Sequence, residues 1–311
     1  MWRHGATDTG KIRWYCPKCK KSGIKKRPDV VARRWLNITK RWLIEGVKLR
    51  TIAKERKLHL HYIQTKCAET LKRLAHNNPA TILDSSKPLL LDGTWLVTKK
   101  LAVLIASDTD RIIHWKFVSL ENIESWQFFL NELSGQPKAI VSDAQKGLLL
   151  AVNLRFGNIP QQRCLAHIAR QARLWLTQHP KTEAGLQLLA LVDALSLART
   201  PEAANEWSQS YQLWLDRWSD FLKEKSHYEQ SQRWWYTHRK MRAVRSLLTH
   251  AWPNLFTHIS YHIPNTTNSL EGGINSPMKF VFKEHRGLSM EHKKALVNIF
   301  LNERQREKNQ H

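Results

Sequence analysis

Apolar residues recur at two different spacings along this chain, and the change of spacing divides it. Over residues 31 to 76 the period is helical. VARRWLNITKRWLIEG puts Trp35, Ile38, Trp42 and Leu43 on one side and Arg and Lys on the other, with Gly46 as its stop. LRTIAKERKLHLHYIQTKCAETLKRLAHNN then predicts two shorter helices. Thr51 caps the first, around IAKER, and Lys57 to His59 form a turn. Tyr62, Ile63, Leu71 and Leu74 give the second helix an inner face. NNPATILDSSKP, with two prolines and a polar cluster, reads as a linker.

From residue 88 short apolar runs take over. LLLDGTWL, KLAVLIASD and RIIHWKFV predict three strands in quick succession. ENIESWQFFLNELSG returns to helical spacing, with Ile123, Trp126, Phe129, Leu130 and Leu133 inside and Gly135 as its stop. AIVSD is a buried strand and AQKGLLLAVNLRFG a helix, and IPQQRCLAH is a short strand running into the helix IARQARLWLTQH. That order is the order of the ribonuclease H fold, a mixed α/β sheet with helices on both faces.

Residues 182 to 260 interrupt it with three predicted amphipathic helices: AGLQLLALVDALSLA, PEAANEWSQSYQLWLDRWSDFLKEKS and RWWYTHRKMRAVRSLLTHAWPNLFTH. Their tryptophans are expected to pack an all-helical insertion, while Arg233, His238, Arg239, Lys240, Arg242 and Arg245 form a basic face. A Pro/Asn/Thr-rich stretch and the helix SMEHKKALVNIFLNERQREK close the chain.

Charge adds a partner to this picture. Fifty Lys and Arg against 26 Asp and Glu leave a formal +24 over 311 residues, too one-sided for an ordinary metabolic enzyme. Residues 1 to 80 hold 21 basic and 5 acidic residues, so most of the excess lies there. Two short helices and a turn inside that basic segment form a helix-turn-helix pattern, beside the plainer reading of a helical hairpin with a solvated face. His59, His61, Gln64, Thr65 and Lys66 then open the recognition helix. No apolar run approaches the roughly 20 residues that span a bilayer. MWRHGATDTGKIRW lacks the apolar stretch of a signal peptide, so a cytoplasmic, nucleoid-associated protein is expected.

Three acidic residues stand apart. Asp92 ends the apolar run LLL, Asp143 ends AIVS, and Glu271 lies in the Asn- and Gly-rich NTTNSLEGGINSP. A lone acid on a strand is usually an ordinary surface residue. Two at the ends of neighbouring parallel strands repel unless cations lie between them. All-oxygen ligation suits Mg²⁺ or Mn²⁺, and two such ions about 4 Å apart are the usual arrangement for phosphodiester chemistry.

These phrases resemble the Mutator-like DDE transposase superfamily of bacterial insertion sequences. The first Asp falls in an LDGTW-like strand, the second in a VSDxxKG-like strand end, and the Glu in a TTNxLE-like phrase. Those positions are Asp92, Asp143 and Glu271, and Cys164-Leu165-Ala166-His167 matches the CxxH pair that follows the second Asp. The resemblance implies Asp92, Asp143 and Glu271 as metal-binding catalytic residues. It also implies double-stranded DNA as partner (terminal inverted repeats and a target) and a homo-oligomer on DNA. Cys164 and His167 would lie near the site and support it. Beside the resemblance, Asn268 is a candidate for support of the site and, with Arg163, for holding scissile-strand phosphates. Lys279, Lys283 and Arg286 read either as contacts to the DNA backbone or as a solvated basic loop.

GKIRWYCPKC is similar to the second half of the zinc ribbons that precede many such enzymes. Cys16 and Cys19 supply half of a tetrahedral site, so a late start or a degenerate ribbon is expected and zinc stays open. The domains expected are a partial ribbon (1–27), a helix-turn-helix (28–78), a ribonuclease H-like core (88–181 and 261–311) and the insertion (182–260). An inactive or domesticated DNA-binding protein and a stand-alone ribonuclease H-like nuclease are the competing readings.

Overall fold

The computed structural model describes residues 1–24, 27–74, 82–143, 145–228 and 233–308. Residues 75–81, which hold the end of the expected helix-turn-helix and much of the linker, lie outside the described residues. The chain forms two compact units. One joins Met1–Asn77 with Val281–Phe300, the other Asn78–Phe280 with Leu301–His311.

In the first unit, β1 (Trp2–Ala6), β2 (Ile12–Tyr15) and β3 (Ser22–Ile24) make an antiparallel sheet in that order. None of its residues is buried, so this sheet has no core of its own. Helices α1 (Pro28–Leu43), α2 (Leu49–Arg56) and α3 (Leu60–Leu74) close around Trp35, Ile38, Ile52, Ala53, Ile63 and Cys67. Pro28 suits the first turn of α1, where its missing N–H leaves no bond unmade. Thr51 is not the cap that its position predicts. Helix α2 starts earlier, with Lys48 in the cap position, because Leu49 joins the cluster. Lys57 ends α2 in the left-handed region (φ 51°) and turns the chain towards α3. Tyr62 is 45% exposed rather than inside, with its ring edge-on to Trp35 at the rim.

The sequence pattern places all of 261–311 with the sheet-bearing core, whereas Val281–Phe300 belongs to the first unit. The reason is apolar. Leu43 and Leu71 bury against Ala295, Leu296 and Ile299, and Asn298 Nδ2 donates to Leu74 O at 2.8 Å.

The second unit is built on five strands: β4 (Leu89–Val97), β5 (Leu101–Ser107), β6 (Ile112–Val118), β7 (Ile140–Ser142) and β8 (Gln161–Arg163). Their order is β6-β5-β4-β7-β8, antiparallel from β6 to β4 and parallel from β4 to β8. Helices α4 (Ile123–Asn131) and α5 (Lys146–Phe156) cover one face, where Leu89, Leu91, Leu104, Trp126, Phe129 and Val152 share a cluster. Side chains alternate along a strand, so Leu90 and Asp92 point to the opposite face.

The helices α6 (Leu165–Leu176), α7 (Glu183–Ala194) and α8 (Pro201–Trp218) follow. Next come a hairpin of β9 (Lys225–His227) and β10 (Trp234–Tyr236), then α9 (Arg239–Ala251) and α10 (Thr257–Tyr261). Leu165, Leu188, Tyr211, Trp214, Val244 and Leu248 pack one core, so α6 shares the insertion's core as well as following the sheet. The insertion is not all-helical. Trp-Trp-Tyr, a run of strand-favouring aromatics, breaks the helix read from Arg233 onward.

The chain then makes α11 (Asn268–Leu270), one π-helical turn (Glu271–Asn275), α12 (Ser276–Glu284) and α13 (Met290–Lys308). Among the described residues no helix is long and apolar enough to cross a membrane.

Candidate active site

Strands β4 and β7 pair in parallel as Leu89 with Ile140, Leu90 with Val141 and Leu91 with Ser142. The next residue on each side is an aspartate, but only Asp143 ends its strand. Strand β4 runs on to Val97 because Gly93 to Trp95 keep pairing with β5, so Asp92 lies within β4, where its pairing with β7 stops. Asp92 is 5% exposed, and Asp143 sits half-buried just past the end of β7, its Oδ1 accepting from Gln145 N at 3.2 Å. Burial pushes the Asp92 carboxyl up to about 7; His167 opposes the rise, and Asp143, Glu271 and Glu121 add to it. Two of the acids picked out in sequence, Asp143 and Glu271, therefore both act on the third, Asp92.

Glu271 reaches this neighbourhood through the turn it begins. The Ser276 N–H reaches back five residues to Glu271 O, which widens the helix into a π turn. Asn275, at the end of that turn, donates from Nδ2 to Asp92 Oδ2 at 2.5 Å, while its own Oδ1 is buried without a partner. Upstream, the buried Thr267 is tied to the start of α6. Its N and Oγ1 donate to Cys164 Sγ at 3.2 and 3.3 Å, and Leu165 N donates to Asn265 O at 3.0 Å. Cys164 thus anchors the loop that carries Glu271.

His167 lies one turn into α6. The neighbouring Cys164 raises its imidazole to about 9; burial opposes the rise, and the charges of Cys164, Asp92 and Asp143 add to it. Burial raises the Cys164 thiol, but His167 and Thr267 outweigh it and bring the thiol below its usual range. A cationic imidazole beside two aspartates partly balances them.

Both Glu271 oxygens are engaged by Arg170: Nη1 meets Oε1, and Nη2 meets Oε2 at 2.6 Å. That fork holds the Glu271 carboxyl below its usual range. Lys279 adds to the same effect. Burial lowers the Arg163 guanidinium, which Asp143 opposes. Asn268 is exposed; Lys283 and Arg286 are exposed residues of the other unit.

Two neighbours carry no sequence signal. Arg170 is one basic residue among many on an amphipathic helix. Glu121 sits before α4, in ENIES, where an acid near a helix start is commonplace. In the fold its carboxylate lies against Gly93, where a Cβ would collide with it. Burial and then Asp143 push Glu121 up to about 7, against the Trp126 indole.

The donors where β4 and β7 part are all oxygen, and burial raises Asp92, so their chemistry fits a hard divalent cation. The arrangement is not closed around one. Among the described residues no three His, Cys, Asp or Glu side chains are placed to hold a metal ion. Arg170 takes up Glu271, and Asn275 takes up one oxygen of Asp92.

The family model described as "Transposase, Mutator family" matches residues 72–228, half of the chain. The chain belongs to the Mutator family of transposases. The matched stretch of this Mutator-family chain contains Asp92, Asp143, Cys164 and His167 and stops short of Glu271. A probable transposase for an insertion sequence element from Corynebacterium diphtheriae is 24% identical over 160 residues. That match covers 46% of this chain and 47% of the relative, so it spans about half the length of each.

At the N-terminus, Cys16 is half-buried and Cys19 exposed in the turn between β2 and β3, both as free thiols. Hydrogen bonds from Cys19 lower the Cys16 thiol. Two thiols are half of a tetrahedral zinc set, and no third ligand joins them among the described residues. On α3, His61, Gln64 and Thr65 are exposed, as is His59 just before it. Thr65 Oγ1 donates to His61 O, and Lys66 pairs with Glu69 at 2.7 Å.

Asn275→Ala removes the donor that Asp92 Oδ2 now has and is expected to cost about 1–3 kcal/mol. Chemical denaturation of the metal-free protein reads this directly. Unchanged stability would mean that the bond to Asp92 contributes nothing in solution.

Proposed function

We propose that this chain binds the terminal inverted repeats of an insertion sequence and cuts and joins DNA strands at Asp92, Asp143 and Glu271. The observation that carries the reading is the matched placement of Asp92 and Asp143 one residue past the last pair of two adjacent parallel strands, with Glu271 acting on Asp92. The strand order β6-β5-β4-β7-β8 supports a ribonuclease H-like core, and α1 to α3 support a helix-turn-helix.

Mg²⁺ or Mn²⁺ held by these carboxylates would lower the pKa of the attacking water or 3′-hydroxyl and stabilise the leaving oxygen. The chain's own residues prepare for this. Asn275 fixes the Asp92 carboxylate, the β4–β7 register aligns Asp92 with Asp143, and the imidazolium of His167 offsets their charge. Arg170 keeps Glu271 occupied until a DNA phosphate competes for the guanidinium, which binds carboxylate and phosphate with the same two-pronged geometry. Release of Glu271 then completes the set of acids when substrate is present. The enzyme would work as a homo-oligomer, since two element ends must be cut and joined together.

Arg170→Gln tests that step. It is expected to tighten Mn²⁺ binding in the DNA-free protein, because Glu271 is freed, and to slow strand cleavage, because a phosphate contact is lost. Isothermal titration and a nicking assay measure the two arms; weaker Mn²⁺ binding would refute the exchange. A catalytically inactive DNA-binding protein is the second reading, and the ion pair that occupies Glu271 favours it.

A further inference from the structure

The aromatic residues of the insertion fall into two groups. Trp207, Tyr211 and Trp214 stack within its core, and Trp252 packs against them edge-on and tilted. Trp234, Trp235 and Tyr228 do not; they are 47%, 36% and 63% exposed on or beside the β9–β10 ribbon. Trp234 pairs with His227 and Trp235 with Ser226, so the two indoles face opposite sides of the ribbon. On one side Trp234 meets Tyr236 edge-on at 5.3 Å, and on the other Trp235 meets Tyr228 at 4.7 Å.

Cations lie on these rings. Lys225 Nζ stands 3.9 Å from the Trp234 ring centre, and the Arg242 guanidinium 3.5 Å from that of Tyr236. A two-stranded ribbon is marginal by itself. This one is held at its base: Thr237 N donates to Glu224 O at 3.0 Å, and His238 pairs with Glu224 at 2.8 Å. It is a fastened projection with an apolar surface that the protein's own core does not use.

Beside its base is a cavity of about 490 Å³. Trp175, His179, Lys181, Arg239 and Lys240 are among its lining residues, and none of those residues is acidic. Flat aromatic faces next to a basic, acid-free cavity are complementary to a ligand with flat rings and negative linkages. A protein surface of mixed charge has no need of that combination.

We propose that the β9–β10 ribbon stacks on unpaired nucleotides of bound DNA, with their phosphates led along Lys181, Arg239 and Lys240. This rests on DNA being the substrate and adds a distinct ligand, a single-stranded segment, to the insertion. Bases stack on aromatic side chains irrespective of sequence, so the ribbon would grip strands opened near a cut without reading them.

The test compares one duplex with blunt ends against the same duplex carrying a six-nucleotide single-stranded tail. Wild-type protein is expected to prefer the tailed DNA by at least about 10-fold. Trp234→Ala with Trp235→Ala is expected to erase that preference and leave blunt-duplex affinity unchanged, while Trp234→Phe with Trp235→Phe retains part of it. Arg239→Gln with Lys240→Gln is expected to reduce the slope of log Kd against log salt by about 1.4 on tailed DNA only. Equal preference in wild type and the double Ala variant overturns the proposal. So does a variant that loses self-association in sedimentation but keeps its DNA preference, which would make the ribbon an interface between copies. Wild-type protein that binds neither DNA overturns the nucleic-acid reading itself, a failure distinct from loss of the tail preference alone.

Discussion

Asp92→Asn is expected to lower metal-dependent strand cleavage by at least about 10³-fold, equivalent to about 4 kcal/mol of transition-state stabilisation. The replaced carboxylate is buried, aligned with Asp143 by the β4–β7 register and held by Asn275. Asparagine keeps the shape and removes the charge that a divalent cation requires. The same change is expected to raise the thermal midpoint of the metal-free protein, because a buried acid that repels Asp143, Glu271 and Glu121 becomes neutral. Mn²⁺ would stabilise the wild type and not the variant. DNA binding is expected to survive, since α3 belongs to the other unit. A nicking assay, thermal unfolding with and without Mn²⁺, and fluorescence anisotropy report the three parts separately. Normal cleavage by the variant would remove Asp92 from the chemistry.

The second large effect is expected on recognition. His59, His61 and Gln64 are exposed around the start of α3, whose opposite side buries Ile63 and Cys67. Replacing all three with Ala is expected to weaken binding to the terminal repeat by on the order of 10³-fold, from about 1–3 kcal/mol for each lost base contact. Binding to unrelated duplex should change little, since Lys and Arg elsewhere supply the salt-dependent part. Competition binding measures the ratio. An equal loss on both DNAs would make these residues phosphate contacts and move specificity elsewhere.

How far the site was legible depends on the range of the signal. LLLDGTWLV and AIVSD reveal strands that carry acids because the apolar runs are local, and β4 and β7 do lie side by side in parallel, though β4 continues past Asp92 to Val97. Arg170 with Glu271 and Asn275 with Asp92 are side-chain pairs 101 and 183 residues apart, which no periodicity encodes. Glu121 is invisible for a related reason: its role comes from the gap over Gly93. The sequence pattern of the β9–β10 ribbon reads as helix because Trp-Trp-Tyr adjoins an amphipathic run, and short apolar runs fit either period. The return of Val281–Phe300 to the first unit has no sequence signal either, since an apolar stripe does not say which core will receive it.

Anomalous scattering from crystals saturated with Mn²⁺ and bound to element-end DNA tests the central claim most directly. The account predicts metal density between the Asp92 and Asp143 carboxylates, with Glu271 turned from Arg170 towards it. Saturated crystals with Glu271 still on Arg170 and no metal between the two aspartates would contradict it.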